Sequence, residues 1–276
     1  MNMSYKSIIL FLSVLMPLFA SAQRMGGHVI RQTKKQEQKP VKRVNQAKKQ
    51  TMSKAERERI LNNLINNMVY IEGGSFMMGS SVGADSVHQV TLSSFSIGKY
   101  EVTQDEWEAV MGSNPSRFKG AKRPVENVSW SYCRQFIRKL NSMTGKNFRM
   151  LTEAEWEYAA RGGKKSRGYE YAGSYTVDDV GWYDSNSSST SHDVGQLSPN
   201  ELGLYDMSGN VWEWCSDWYD SYESGSQSNP SGPSSGFIRV KRGGSWFSGV
   251  GMCRVSHRSL ESPNSGYDYL GLRLAL

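Results

Sequence analysis

Gly203–Trp214 reads GLYDMSGNVWEW and combines two carboxylates, a tight glycine turn and two tryptophans. A Gly-Asn pair lies at its centre, and both of these residue types tolerate a positive φ. A turn there would leave the neighbouring backbone carbonyls free, while a carboxylate stands on either side. Such oxygens are the ligands that Ca²⁺ prefers. The stretch therefore predicts a calcium site whose ligands are Asp206, Gly209, Val211 and Glu213.

A second interpretation of the same stretch stays open. Asp206 could cap the turn, and Glu213 could pair with a buried arginine. In the calcium interpretation, by contrast, alternation along a strand turns Glu213 inward and lets Trp212 and Trp214 shield the outer side of the site. The spacing alone favours this ion pair over the metal.

Two further blocks give the fold. They are RMLTEAEWEYAARGG at Arg149–Gly163 and RGGSW at Arg242–Trp246. With Gly203–Trp214 they follow the order of the sulfatase-modifying-factor family, which includes the formylglycine-generating enzymes, and the chain resembles that family over about Met68–Leu276. The resemblance implies a loop-rich α+β fold, C-type-lectin-like, with short helices and twisted antiparallel strands, in a domain over residues 67–276. It also implies that the glutamates of Arg149–Gly163 are part of the scaffold.

The resemblance implies a site for redox chemistry as well. The formylglycine-generating members oxidise a sulfatase cysteine, within C-x-P-x-R, to an aldehyde, using O₂ and a Cu(I) ion between two thiolates. Counted from the RGGSW block, the two copper positions fall on Ser248 and Cys253, and Ser245 matches a serine that lines the O₂ and substrate pocket. Cu(I) selects soft sulfur, so a serine removes one of its two ligands. Cys253, Ser248 and Ser245 are thus the candidate catalytic residues, with Cys253 as the remaining Cu(I) ligand.

These residues have alternatives too. Cys253 is either a copper ligand completed by a substrate thiol or a small buried hydrophobe. Ser245 is either a pocket residue or a turn serine that bonds nearby backbone. The same family would place a second calcium site in the loop-rich segment before residue 200, with Asp179 and Asn186 as ligands. Three arginines are expected to pair with Glu213 or other acids: Arg254, Arg258 and Arg273.

Iron-binding relatives use three histidines, but this chain has no H-x₃-H-x-E run among its four. These are His28, His88, His192 and His257.

Composition separates a folded part from a basic tail. The 276 residues carry a net charge of +7, yet Arg31–Ile60 alone holds eleven Lys/Arg against three Asp/Glu. From Leu61 onward the chain is mildly acidic, so nothing predicts a nucleic-acid-binding face. The 27 glycines, 8 tryptophans and 14 tyrosines indicate one loop-rich domain held by large aromatics.

The N-terminal segments predict export. Residues 1–22 have a basic start, a short apolar run and an Ala-Ser-Ala cleavage site, as signal peptides do. Residues 23–52 form a basic linker too polar to fold, and residues 53–66 an amphipathic helix. No stretch is long and apolar enough to span a bilayer. We therefore expect a periplasmic or extracellular protein, in which at least one of three cysteines is unpaired.

Local signals also predict individual elements. Capping residues predict helices over Lys54–Asn66, Thr103–Met111, Trp130–Gly145 and Glu153–Arg161. MVYIEGGSFMMGS, from Met68, reads as a hairpin around Gly73-Gly74, and the residues from His88 alternate like strands.

Two functions follow from the resemblance. The first is an exported oxidase of a partner protein's cysteine, acting on a protein or peptide substrate. The second is a non-catalytic binding or assembly module of the cell envelope, as in gliding or secretion machinery, which reuses the fold without the chemistry.

Overall fold

The computed structural model describes residues 52–81 and 86–276, which fall within one compact unit, Gln50–Leu276. The predicted signal peptide and almost all of the predicted linker lie outside the described residues. Inside them, no helix combines the length and apolar character needed to cross a bilayer.

Within the described residues, four α-helices begin and end within one residue of the bounds that the local signals predict. They are α1 (Lys54–Asn66), α2 (Gln104–Met111), α3 (Trp130–Thr144) and α4 (Glu153–Ala160). A serine or threonine precedes each one, and Thr103 and Thr152 form complete capping boxes with a glutamate three residues on. α2 and α3 end at glycines with left-handed backbone, as C-terminal caps require.

Eleven strands form three small sheets in the described part of the chain, so the fold is α+β. The strands are β1 (Met68–Ile71), β2 (Gly74–Met78), β3 (His88–Leu92), β4 (Phe95–Gly98), β5 (Arg149–Met150), β6 (Trp212–Trp218), β7 (Gln227–Ser228), β8 (Arg239–Arg242), β9 (Arg258–Glu261), β10 (Leu270–Gly271) and β11 (Leu274–Ala275). The sheet orders are β1-β4-β11-β5, β10-β6-β8-β9 and β2-β3-β7. Two pairs, β10 with β6 and β3 with β7, are parallel, and the others are antiparallel.

The predicted hairpin around Gly73-Gly74 is wrong. β1 pairs with β4 and β2 pairs with β3, so the two strands belong to different sheets. Gly73 is required for another reason: a Cβ there would lie 2.3 Å from the carbonyl oxygen of Leu92. The glycines let the chain pass tightly between two sheets, and non-local pairing decides the partners.

Helix α4 is fixed to the sheets by acid–arginine pairs. Glu153 accepts hydrogen bonds from Arg258 Nε at 2.9 Å and Nη2 at 2.7 Å, and the buried Glu157 pairs with Arg242 at the end of β8. A buried charge is stable only when it is paired and hydrogen-bonded. The helix thus has the scaffold role that the family resemblance implies, and it holds the start of the RGGSW block in place.

Candidate functional site

The turn after β8 brings the predicted catalytic residues together. Gly243 and Gly244 have φ values of 101° and 78°, a left-handed conformation that favours glycine. A Cβ on Gly244 would lie 2.7 Å from Cys253 Sγ, so no larger residue fits there. The turn therefore brings the Ser245 backbone amide to the Cys253 thiol.

Ser245 and Ser248 bond to each other. Their hydroxyl oxygens are 3.0 Å apart, and Ser248 Oγ also accepts from the Ser245 amide at 3.0 Å. Ser245 Oγ in turn accepts from the Phe247 amide at 3.3 Å. Both side chains are buried. The two hydroxyls thus close a short turn, which matches the turn-serine interpretation of Ser245.

Cys253 ends a short 3₁₀ turn, Val250–Cys253, and is fully buried. It packs with Tyr171, Val177 and Val180. Burial raises the pKa of its thiol to about 12, assisted by the nearby charge of Asp184. The thiol is therefore protonated at neutral pH, whereas a metal ligand or nucleophile must be a thiolate.

No second cysteine lies beside Cys253 to complete a two-thiolate site. Cys133 packs in the cluster around α2 and α3, and Cys215 in the cluster around α4, while all three cysteines are unpaired and buried. Across residues 52–81 and 86–276, no three His, Cys, Asp or Glu residues converge as a metal site would require. The donor set at Cys253 does not fit a two-thiolate Cu(I) clamp, and we derive no copper step.

Glu213 pairs with a buried arginine, as the second interpretation of Gly203–Trp214 expects. Arg273 donates to it from Nε at 2.9 Å and Nη2 at 2.7 Å, and Trp156 Nε1 adds a third donor at 2.7 Å. Both ionic groups are almost wholly buried. Arg258 forms a similarly buried pair with Glu153, whereas Arg254 pairs with Glu170 at a partly exposed position.

Two more buried carboxylates surround that pair. Glu101 accepts from Asn210 Nδ2 at 2.7 Å and from the Val211 amide at 3.1 Å, and Asp206 Oδ2 accepts from the Gly195 amide at 2.7 Å. Burial raises the pKa of Glu101 well above its usual value and that of Asp206 to about 6. The sequence analysis missed Glu101, which lies about a hundred residues from the turn and gives no local signal.

Two features of this cluster bear on the predicted cation, although its three carboxylates do not converge as a metal site would require. Three carboxylates face one guanidinium, and Asp206 Oδ1 is buried without a hydrogen-bond partner. The turn has the predicted shape, because Asp206 and Gly209 both have positive φ. Glu213, however, already shares its oxygens with Arg273 and Trp156. Calcium at Asp206, Gly209, Val211 and Glu213 therefore stays a prediction.

The two ligands predicted for the second calcium site, Asp179 and Asn186, are engaged in hydrogen bonds within their own loop. Asp179 accepts from Ser174 Oγ at 2.8 Å, and Asn186 Oδ1 accepts from the Tyr183 amide at 2.8 Å. The Asn186 amide donates to the carbonyl of Gly181 at 3.0 Å. These bonds hold the loop, and calcium there stays a prediction as well.

Three apolar side chains project outward above the buried serines. Phe247 is 69% exposed, Val250 48% and Met252 47%. Trp246 beside them is buried, donates Nε1 to the Asp268 carbonyl at 2.9 Å and packs edge-on against Phe118. We call Phe247, Val250 and Met252 the 247–252 patch. Sequence reasoning missed it, although three apolar residues within a glycine-rich turn were a visible signal.

Together these features define an α+β domain with a buried serine–cysteine turn beneath an exposed apolar patch. Residues 48–276 match the family model described as "Sulfatase-modifying factor enzyme 1-like domain". The chain belongs to the sulfatase-modifying-factor family, and the predicted C-type-lectin-like fold class is confirmed.

Three relatives show how broad this family is. The chain is 37% identical to "Chaperone protein LppX" of Paenibacillus barcinonensis over 75% of this chain and 88% of the relative. It is 36% identical to "Formylglycine-generating enzyme" of Streptomyces coelicolor, over 61% of this chain and 60% of that enzyme. The structure of "Treponema denticola variable protein 1" superposes with a TM-score of 0.72 and 35% identity, covering 75% and 94% of the two chains.

Proposed function

We propose that this protein is an exported, non-catalytic module of the cell envelope that binds a partner polypeptide through the 247–252 patch. The proposal rests on a difference in solvent exposure between the side chains of one turn. Ser245, Ser248 and Cys253 are buried and engaged with one another, while Phe247, Val250 and Met252 face outward. Exposed apolar side chains in one short segment favour contact with another protein.

The oxidase alternative has weaker support in this chain. It needs two thiolates that Cu(I) can bind, but Ser248 supplies a hard oxygen, so Cys253 is the one cysteine at this turn. Likeness to the formylglycine-generating enzymes extends to the scaffold, and a scaffold does not determine chemistry.

Two further points support a binding role. The name of the 37%-identical relative, "Chaperone protein LppX", describes a protein that handles other proteins, and the chain spans 88% of that relative. Residues 1–22 have the sequence of an export signal, so the proposed compartment is the periplasm or the exterior. Calcium held at Asp206 and its neighbours would have a structural role, stiffening the turn that precedes β6.

A peptide-binding assay tests the proposal. The probe is a fluorescein-labelled neutral peptide of alternating leucine and serine, followed by fluorescence anisotropy. The double variant Phe247→Ser/Met252→Ser is expected to weaken binding by about tenfold, as loss of central apolar contacts does. Phe237→Ser is the matched control, because Phe237 is 94% exposed elsewhere on the surface.

The peptide affinities of the three proteins decide whether the proposal holds. The proposal requires that the control bind like the unmodified protein and that the double variant bind more weakly. Equal binding by all three proteins, or no saturable binding by the unmodified protein, would rule the patch out.

A further inference from the structure

A groove between α3 and β5 has the shape and lining of a binding site. Its volume is about 390 Å³. Its floor consists of four apolar side chains contributed by the helix, by β5 and by the residue before that strand: Trp130, Ile137, Phe148 and Met150. Each is largely buried by the fold, with one face toward the groove. A floor of this kind accepts a large apolar side chain.

The rim of the groove is strongly basic. Arg134, Arg138 and Arg149 line it, together with a single acid, Glu155. Arg149 is paired with Glu155 through two hydrogen bonds of 2.6 and 2.7 Å. Arg134 and Arg138 are exposed, lie one helical turn apart and have no acidic partner among the described residues. α3 itself contains no Asp or Glu, so it supplies no compensating charge.

A fourth arginine, Arg239, adds positive charge beneath the groove floor, where it packs against Trp130. The Arg239 guanidinium carbon lies 3.8 Å from the Trp130 ring centroid and 3.3 Å from that of Trp218. Arg134 lies 5.2 Å from the same Trp130 ring. Burial, together with the charge of Arg134, lowers the pKa of Arg239 to about 10. Cations gathered around one ring repel each other, and an anion in the groove would relieve that repulsion.

We infer that this arginine groove binds an acidic segment of a partner polypeptide, with a large apolar side chain on the floor and flanking carboxylates on Arg134 and Arg138. Guanidinium groups bind carboxylates through two parallel hydrogen bonds, which gives the contact direction as well as strength. The apolar floor favours a peptide over a free inorganic anion. The concave shape favours a peptide over a flat bilayer surface.

This site goes beyond the 247–252 patch, with which it shares no residue. The partner would therefore meet two chemically different surfaces, one apolar and one basic. Positive charge on the rim predicts that binding at the groove weakens as salt rises, whereas binding at the patch does not.

The test uses a fluorescein-labelled peptide with one phenylalanine between two pairs of glutamates, measured by fluorescence anisotropy on the full exported chain. Arg134→Gln/Arg138→Gln is expected to weaken binding by about tenfold, because two exposed arginine–carboxylate contacts, each of modest strength, are lost together. Both side chains are exposed, so the fold should tolerate the change. Lys139→Gln is the matched control: it removes a cation from the same helix that does not line the groove.

The outcomes are separable. The inference is supported when the double variant loses affinity, the Lys139 control keeps it, and a peptide with glycine in place of phenylalanine binds more weakly. The inference is overturned if the Arg134→Gln/Arg138→Gln variant and the Lys139→Gln control bind the acidic peptide with equal affinity. It is also overturned if the double variant loses only binding to anionic phospholipid vesicles, which would assign the arginines to a membrane surface. Binding of the neutral leucine–serine peptide reports on the patch alone, so failure at one surface is not mistaken for failure at the other.

Discussion

The hydroxyl oxygens of Ser245 and Ser248 lie 3.0 Å apart inside the fold, and the Ser245 amide donates to Ser248 Oγ as well. At one of the two positions that the family resemblance assigns to a copper cysteine, this chain has a serine that completes a turn. The turn supports the neighbouring apolar residues, and the binding role proposed above depends on it.

Replacing Ser248 with alanine should destabilise the protein. The change leaves the buried Ser245 amide and hydroxyl without their partner, and each unsatisfied buried group costs about 1–3 kcal/mol. We expect the free energy of unfolding, measured in urea, to fall by about 2 kcal/mol. Ser224→Ala, at an exposed position, is the control and should change little. No difference between the variants would mean that the serine pair is not structurally important.

The ion pair of Arg273 with Glu213 predicts a larger effect. Arg273→Met leaves Glu213, Asp206 and Glu101 buried without a cation, and breaking a buried pair costs about 3–5 kcal/mol. The same substitution at Arg117, whose side chain is 66% exposed in its pair with Asp268, should cost no more than about 1 kcal/mol. Urea unfolding at neutral pH measures both values. Similar losses at the two sites would contradict the role assigned to the cluster.

Calcium removal tests the predicted metal site directly. An ion that binds only the native state stabilises it, so a chelator should lower the melting temperature and added calcium should restore it. Asp206→Asn should abolish that response, whereas Asp220→Asn, on the surface, should retain it. A melting temperature that does not change with chelator would rule out the predicted calcium site. Arg273 would then balance the charge of the surrounding carboxylates without a metal ion.

Asp217 predicts a pH dependence of stability. Burial, and then the charge of Glu153, raise the pKa of Asp217 from 3.8 to about 7 in the folded protein. The folded state therefore keeps a proton that the unfolded state releases, and stability falls as pH rises from about 4 to about 7. The shift corresponds to up to about 4 kcal/mol.

Asp217→Asn should remove most of that loss. Relative to the unmodified protein, the variant should gain stability between about pH 5 and about pH 8, as measured by urea unfolding. Asp220→Asn, at an exposed position three residues along the chain, should show no such gain. A stability difference that is the same at both pH values would contradict the raised pKa.

Local chemistry explains what the sequence could predict. The helices were placed because Ser53, Thr103, Ser129 and Thr152 cap them within a few residues. Each of these signals acts over fewer than about ten residues, so one sequence suffices to read it.

The remaining features depend on contacts between distant segments. Strands β1 and β2 have the local pattern of a hairpin, yet each finds a better partner in β4 and β3. Glu101 lies after β4 and joins Asp206 and Glu213 because it accepts hydrogen bonds from Asn210 and Val211, in the distant turn before β6. The arginine groove likewise forms where α3 crosses β5, and no motif marks it.

The most direct test of the central claim is whether this protein oxidises the cysteine of a peptide. Purified protein is incubated with Cu(I), O₂ and a C-x-P-x-R peptide, and the peptide is followed by mass spectrometry over a range of copper concentrations. Our account predicts that the peptide keeps its cysteine while the protein still binds the neutral leucine–serine peptide through Phe247 and Met252. Formation of the aldehyde would contradict it.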